Sequence, residues 1–262
     1  MSIDYLKTKH PHERDARIFF DEEPHIYYVD SKAIGCSVTT LVHRFFPKFE
    51  PDTIIHRMMN GRNWNSSNKY YGMTPDEIKQ TWENLGKEAT TEGTKLHKSI
   101  EVYYNNMHSN PSFCLPSDDE QSDEYKMFLN FAKEHTHLKP YRTEWEVFDE
   151  TSDIAGSIDM IFENDDGTLS IYDWKRTKEI KLKNPYKSKG FSHLQNFDDC
   201  NYIHYSLQLN IYKYILEKHY GVHIRDMFLV CMHPTYTNYK KYEVCYLQPV
   251  VENIFNDLKE SF

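Results

Sequence analysis

Apolar and polar positions change their spacing at about residue 140 of the chain. Ahead of that point the pattern is mainly helical. His25–Val29 alternates as a short strand, followed by a turn at Asp30–Lys32. A short helix then covers Leu41–Phe46, with Ser37 as its N-cap and Pro47 as its stop. A second short helix is predicted over Phe49–Gly61, and the polar, aromatic stretch Asn63–Tyr71 reads as loop. Thr74, Pro75, Asp76 and Glu77 supply an N-cap, a proline at the first helical position and acids in the first turn, opening a helix to about Asn84. A further helix spans Ala89–Asn105, and the capping box at Ser117–Glu120 opens another to about His135.

Beyond residue 140 the period becomes two. Arg142–Phe148, Ala155–Glu163 and Leu169–Trp174 read as three strands, the last two joined by the turn Asn164–Gly167. A long amphipathic helix follows over Ile203–Tyr220, ending at Gly221. Strands at Arg225–Met232 and Tyr242–Leu247 precede a terminal helix opened by Pro249. This order predicts an α/β (α+β) fold with a helical N-terminal portion over residues 1–90 and a core over residues 91–262.

Composition narrows the class. The 262 residues include 20 Tyr, 15 Phe and 4 Trp, which argues against disorder. The longest apolar run, Met227–Met232, is far shorter than the roughly 18 residues of a membrane span. The first fifteen residues hold no apolar stretch, so no secretory signal is expected and an intracellular, soluble protein is. The five cysteines are dispersed, without a CxxC, which fits a reducing compartment and no disulfide framework. A net charge of −9 counts mildly against a nucleic-acid protein, so local charge has to decide.

The hairpin carries the candidate chemistry. A three-residue loop, Asp165–Gly167, sets Asp159 opposite Asp173 on one face, with Cβ atoms roughly 5 Å apart, and Lys175 shares that face. A two-residue loop would shift the register and separate the acids. Two facing carboxylates need a cation, and oxygen ligands suit Mg²⁺ or Mn²⁺. A lysine beside such an ion can hold water or offset charge on a phosphate. Solvated charges on a surface hairpin are the alternative.

The ordered set Gly93-Thr94-Lys95-Leu96-His97, Gly156-Ser157-Ile158-Asp159, Asp173-Trp174-Lys175 and Gln208-Leu209-Asn210-Ile211-Tyr212 resembles the PD-(D/E)xK nuclease superfamily, in its RecB-like branch. That branch places a helical His, a G-x-x-D strand, a D-x-K strand and a Q-x-x-x-Y helix in this order. Ser37-Val38-Thr39-Thr40 looks like a segment of mitochondrial genome-maintenance exonucleases and their relatives in large DNA viruses. The resemblance implies a restriction-endonuclease-like core, a central mixed sheet flanked by helices. It implies metal ligation by His97, Asp159, Asp173 and the Trp174 backbone carbonyl, a catalytic Lys175, and Gln208 and Tyr212 orienting the lysine or touching substrate. Glu144 is a candidate auxiliary acid, with Glu146 of the same parity competing. His97 could instead pair with Glu101 on its own helix, and Gln208 and Tyr212 could simply edge a core helix. Some relatives hold an iron–sulfur cluster on four cysteines. Cys200, Cys231 and Cys245 are too dispersed to match, so no cluster is expected.

Local charge favours DNA. Lys175, Arg176, Lys178, Lys181, Lys183, Lys187 and Lys189 form a basic stripe interrupted by one acid, Glu179. A solvated loop is the alternative. Ser37, Thr39 and Thr40 could meet a phosphate at a helix start. Tyr70 and Tyr71, with Trp64 and Trp82, are candidate stacking residues. The expected activity is an Mg²⁺- or Mn²⁺-dependent deoxyribonuclease of DNA replication, recombination or repair. A single-strand-preferring exonuclease needing a free end is expected, in the cytoplasm of a virus-infected cell if the viral likeness holds. A structure-specific endonuclease, a noncatalytic binding module of the same fold and a small-nucleotide phosphoesterase are the other readings.

Overall fold

The computed structural model describes residues 4–107 and 109–260. Along the chain its elements are α1 (Tyr5–Lys9), β1 (Ile18–Asp21), β2 (Ile26–Val29), β3 (Lys32–Ala33), β4 (Cys36–Ser37), α2 (Val38–His43), α3 (Pro51–Met59) and α4 (Pro75–Asn106). They continue as α5 (Asp123–Glu134), β5 (Lys139–Asp149), β6 (Ile154–Glu163), β7 (Leu169–Arg176), α6 (Asn201–His219), β8 (Ile224–Met232), β9 (Lys240–Glu243) and α7 (Gln248–Glu260). The fold is α+β, built on a mixed six-stranded sheet with helices against it.

Two compact units divide the chain, with one boundary close to residue 90, at Lys95–Leu96, and a second at Pro47–Lys48. Lys48–Lys95 forms one unit, and the residues up to Pro47 group with those from Leu96 onward. The early residues belong with the core for physical reasons. β4 pairs in parallel with β6 at Ile154 and Ala155. Asp15 accepts hydrogen bonds from buried Arg142 and from the Trp145 indole at 2.8 and 2.9 Å. The N-terminal portion is also not purely helical: β1, β2 and β3 form a small antiparallel sheet.

In the larger sheet the order is β4-β6-β7-β8-β9, with β5 on the other edge of β6. Pairs β5–β6, β6–β7 and β8–β9 are antiparallel, and β4–β6 and β7–β8 are parallel. Apolar side chains cover both faces. Val38, Leu41, Leu207, Ile211, Val251 and Phe255 pack with Ile161, Ile171 and Leu229. Leu96, Ile100, Phe128 and Phe131 pack with Met160, Tyr172, Trp174 and Val230.

Some expected boundaries move. Residues expected as two helices, Thr74–Asn84 and Ala89–Asn105, are one continuous α4. The Ser117–Glu120 capping box forms, but it closes a 3₁₀ turn, and Ser122 caps α5 instead by accepting the Tyr125 N–H. β9 covers Lys240–Glu243 rather than Tyr242–Leu247.

Within the Lys48–Lys95 unit, Lys79 pairs with Asp52 between α4 and α3 at 3.0 Å. The Trp82 indole donates to the Tyr70 hydroxyl at 2.8 Å, and Tyr71 is exposed with its ring 5.9 Å from that of Trp64.

Candidate metal centre

The register of the hairpin is the one set by a three-residue loop. Asn164 N–H donates to the Thr168 carbonyl at 2.8 Å, Gly167 N–H donates to the Asn164 carbonyl at 3.0 Å, and Gly167 sits at φ +79, where glycine carries no Cβ penalty. Ladder pairs run from Glu163↔Leu169 to Met160↔Tyr172. The next positions in this register are Asp159 and Asp173.

There the ladder stops. On this edge of β6, β4 occupies Ile154 and Ala155 and β7 occupies residues 160–163. Residues 156–159 are left without a strand partner on that side, and two side chains fill the gap. The Asp159 carboxylate accepts the Trp174 N–H at 2.9 Å. The Tyr212 ring comes so close to Gly156 that an added Cβ would lie 2.8 Å from its hydroxyl, so only glycine fits. Tyr212 is buried, and burial pushes its phenol well above the ordinary value. Gln208 sits one turn earlier on α6, half-buried, hydrogen-bonded to that phenol.

His97 enters from the last third of α4. Its Nε2 lies 2.8 Å from the Trp174 carbonyl oxygen. A carbonyl can only accept, so Nε2 carries the proton and Nδ1 faces the acids. Nδ1 is 3.6 Å from Asp159 Oδ2 and 3.7 Å from Glu144 Oε1. Glu101, the other partner considered for His97, pairs with Lys98 at 2.8 Å.

Glu144 reaches the site through an unusual backbone. It lies between the ladder pairs Thr143↔Met160 and Trp145↔Ile158, at φ +42. A glutamate in the left-handed region costs of order 1 kcal/mol or more, and such strain gathers at functional sites. Ser157 Oγ donates to Glu144 Oε2 at 3.0 Å, which leaves Oε1 toward His97. Glu146, the competitor, shares with Glu144 a cavity of about 180 Å³ also lined by Asp15 and Arg142, but it is not among the converging donors.

His97, Glu144 and Asp159 each present a ligand atom within 4.8 Å of the others. Burial works against a charged His97, yet the Asp159 and Glu144 charges outweigh it and raise the ring to about 9. In the ion-free protein the imidazolium therefore supplies the positive charge that the two carboxylates need. Burial pushes Asp159 upward. One nitrogen and carboxylate oxygens form a donor set suited to Mn²⁺ or Mg²⁺, so the residues fit the expected ion.

Two expected ligands stand differently. Asp173 is not one of the three converging donors; its oxygens face the Lys175 ammonium at 2.8 and 3.0 Å. Burial and the neighbouring Asp159 charge push Asp173 up to about 6 against the pull of Lys175. The Trp174 carbonyl accepts from His97 Nε2, a contact that orients the imidazole. Burial opposes the charge on Lys175, and Asp173 and Asp159 more than restore it, leaving its ammonium above the ordinary lysine value. The ammonium also lies 4.8 Å from the centre of the Tyr205 ring.

Tyr205 was not singled out in the sequence; its position one turn before Gln208 on α6 is the signal. Tyr27 of β2 was read only as strand. Burial raises its phenol, and the Glu146, Glu144 and Asp159 charges add to this.

The expected DNA contacts divide. Ser37 Oγ accepts the Thr40 N–H and donates to Thr40 Oγ1, capping α2, while Thr39 and Thr40 are exposed. Arg176 is not part of an open stripe: it forms a 2.6 Å pair with Glu124, both largely buried. Lys178, Lys181 and Lys183 are exposed.

No protein-family model matches the sequence, and no curated protein does. Among solved structures, the crystal structure of SSO0001 aligns at 18% identity and a TM-score of 0.27, over 52% of this chain and 56% of that one. A likeness at that level carries no argument about fold or activity. Among the described residues no helix is long and apolar enough to cross a membrane.

Proposed function

We propose that this chain is a metal-dependent nuclease with a restriction-endonuclease-like core, cleaving phosphodiester bonds of DNA. The observation that carries the reading is the meeting of His97, Glu144 and Asp159 beside the Asp173–Lys175 pair, at the gap in the β6 edge. His97 Nδ1 and the Glu144 and Asp159 carboxylates would hold the ion, with Asp173 adjoining. A divalent ion there would supply Lewis-acid polarisation of a phosphate oxygen.

The remaining roles belong to the chain. The Lys175 ammonium, fixed by Asp173 and Tyr205, is positioned to offset the charge that grows on phosphate or to hold the attacking water. The Trp174 backbone holds two ligand side chains at once, Asp159 by its N–H and His97 by its carbonyl. Tyr212 and Gln208 keep α6, and with it Tyr205, against β6. Preference for single strands with a free end rests on the sequence resemblance to genome-maintenance exonucleases.

End-labelled linear and circular single-stranded DNA, with Mn²⁺, Mg²⁺ or EDTA, test this. Metal-dependent loss of the linear strand is the expected result. Digestion of the circle at the same rate would make the enzyme an endonuclease. Binding without cleavage under every metal would contradict the reading.

A further inference from the structure

Between β7 and α6 the chain runs through residues 177–200 with a single 3₁₀ turn, Ser192–Leu194. The segment is nevertheless tightly pinned. Asn184 donates its N–H to Asp198 at 2.9 Å and its amide to the Asp199 carbonyl at 2.7 Å. Asn184 Oδ1 accepts the Tyr186 N–H at 2.8 Å. Lys181 N–H donates to Asn201 Oδ1, and the Asn201 amide donates to the Glu179 carbonyl, both at 2.8 Å.

On this fixed backbone the basic run separates into two kinds of residue. Lys175, Arg176 and Lys189 are paired with Asp173, Glu124 and Asp198. Lys178, Lys181, Lys183 and Lys187 are exposed and form no ion pair among the described residues. Four exposed ammonium groups within ten residues give the segment a local positive potential that attracts anions. Tyr186 stands among them 90% exposed, its peptide N–H held by Asn184. An aromatic ring presented to solvent from a pinned loop buries nothing in this chain.

Lys178, Lys181, Lys183 and Tyr186 line one open cavity of about 630 Å³, together with Asn201 and His204. Two acids also border it, Glu179 and Asp199, and Asp199 is engaged by Ser188 and His204. The lining begins at Thr177, two residues past Lys175 and roughly 7 Å along an extended strand.

We infer that this lysine-lined cavity is a binding track for single-stranded DNA, with Tyr186 as a stacking platform for a base and the unpaired lysines on successive phosphates. The inference rests on the nuclease reading for its direction toward Lys175. Three lysines spread along the cavity, with Lys187 just beyond it, suit a polymer of phosphates rather than one nucleotide. An open aromatic face needs an unstacked base, which a duplex hides.

Fluorescence anisotropy of labelled oligo(dT) in EDTA, over a series of salt concentrations, tests it. Tyr186→Ala should weaken binding about tenfold or more, and Tyr186→Trp should retain it. Replacing Lys178, Lys181 and Lys183 together by Ala should lower the slope of log affinity against log salt by about 2. Inorganic polyphosphate, which has no bases, should compete equally well with wild type and Tyr186→Ala. Unchanged oligo(dT) affinity in Tyr186→Ala, or an unchanged salt slope in the triple variant, overturns the track. Because EDTA removes the metal, this outcome is separate from cleavage. Tyr186-dependent binding with no cleavage in Mn²⁺ would leave the track and sink the nuclease reading.

Discussion

The His97 ring and the Trp174 carbonyl are joined by a 2.8 Å hydrogen bond, and the N–H of the same Trp174 reaches Asp159 at 2.9 Å. Two candidate ligand side chains, one from a helix and one from a strand, are thus held by the backbone of one residue. Its indole is 1% exposed and sits against Phe128 and Phe131. Aromatic packing on one face of the sheet fixes the residue that holds both His97 and Asp159. Trp174→Ala should cost about 3–5 kcal/mol in a denaturant titration and weaken Mn²⁺ binding together with stability. A variant of unchanged stability would break this link.

Lys175 is held by Asp173 and by the Tyr205 ring. Lys175→Ala should cut turnover by about 10² or more while oligo(dT) affinity in EDTA changes little, because the unpaired lysines remain. Tyr205→Phe keeps the ring face and should keep most activity. Tyr205→Leu should lower kcat by about tenfold with little change in KM. Equal activity of the Phe and Leu variants would remove the cation–ring contact from the account.

At Gly156 an added Cβ would meet Tyr212 Oη at 2.8 Å, Tyr212 Cε1 at 2.9 Å and Val38 Cγ2 at 3.1 Å. Gly156→Ala should destabilise by about 1–3 kcal/mol. Tyr212→Phe should not relieve it, since the Cε1 contact remains. Thermal unfolding of the two single variants and the double variant checks this.

Asp149, fully buried at the end of β5, accepts from Thr151 and Ser152 and faces His219 and Lys218 at 2.9 and 3.2 Å. Burial raises its carboxyl, but these partners outweigh burial and hold it below the ordinary aspartate value. A depressed folded value contributes stability that is complete above the unfolded value of about 4 and is lost as pH falls through the folded one. Wild type should therefore lose stability between about pH 4 and pH 2 more steeply than Asp149→Asn. The variant should be weaker by about 3 kcal/mol at pH 7. Urea titrations across this range would show parallel curves if Asp149 were not responsible.

Much of this site is legible in the sequence where local rules govern it. The observed β6–β7 register is that of the three-residue loop, but the Asn164–Gly167 residues alone also allow a two-residue loop, and the case for the former rests on the acids it would bring together. The continuity of α4 was not legible from residues 85–88, where Gly86 faces open space and is carried in the helix at about 1 kcal/mol of propensity cost. Glu144 and Glu146 share strand parity, and only the left-handed backbone at Glu144 separates them. Arg176 belongs to the basic run by sequence, but its partner Glu124 lies 52 residues earlier, beyond the reach of any local pattern. Tyr205 meets the lysine through tertiary packing that no local pattern encodes.

The central claim is that His97, Glu144 and Asp159 form one divalent-cation site. Calorimetric titration of Mn²⁺ into wild type, Glu144→Gln and Asp159→Asn, with circular dichroism to confirm folding, tests it most directly. One site in wild type and at least tenfold weaker binding in each folded variant is the predicted result. Equal Mn²⁺ affinity in all three proteins would contradict it.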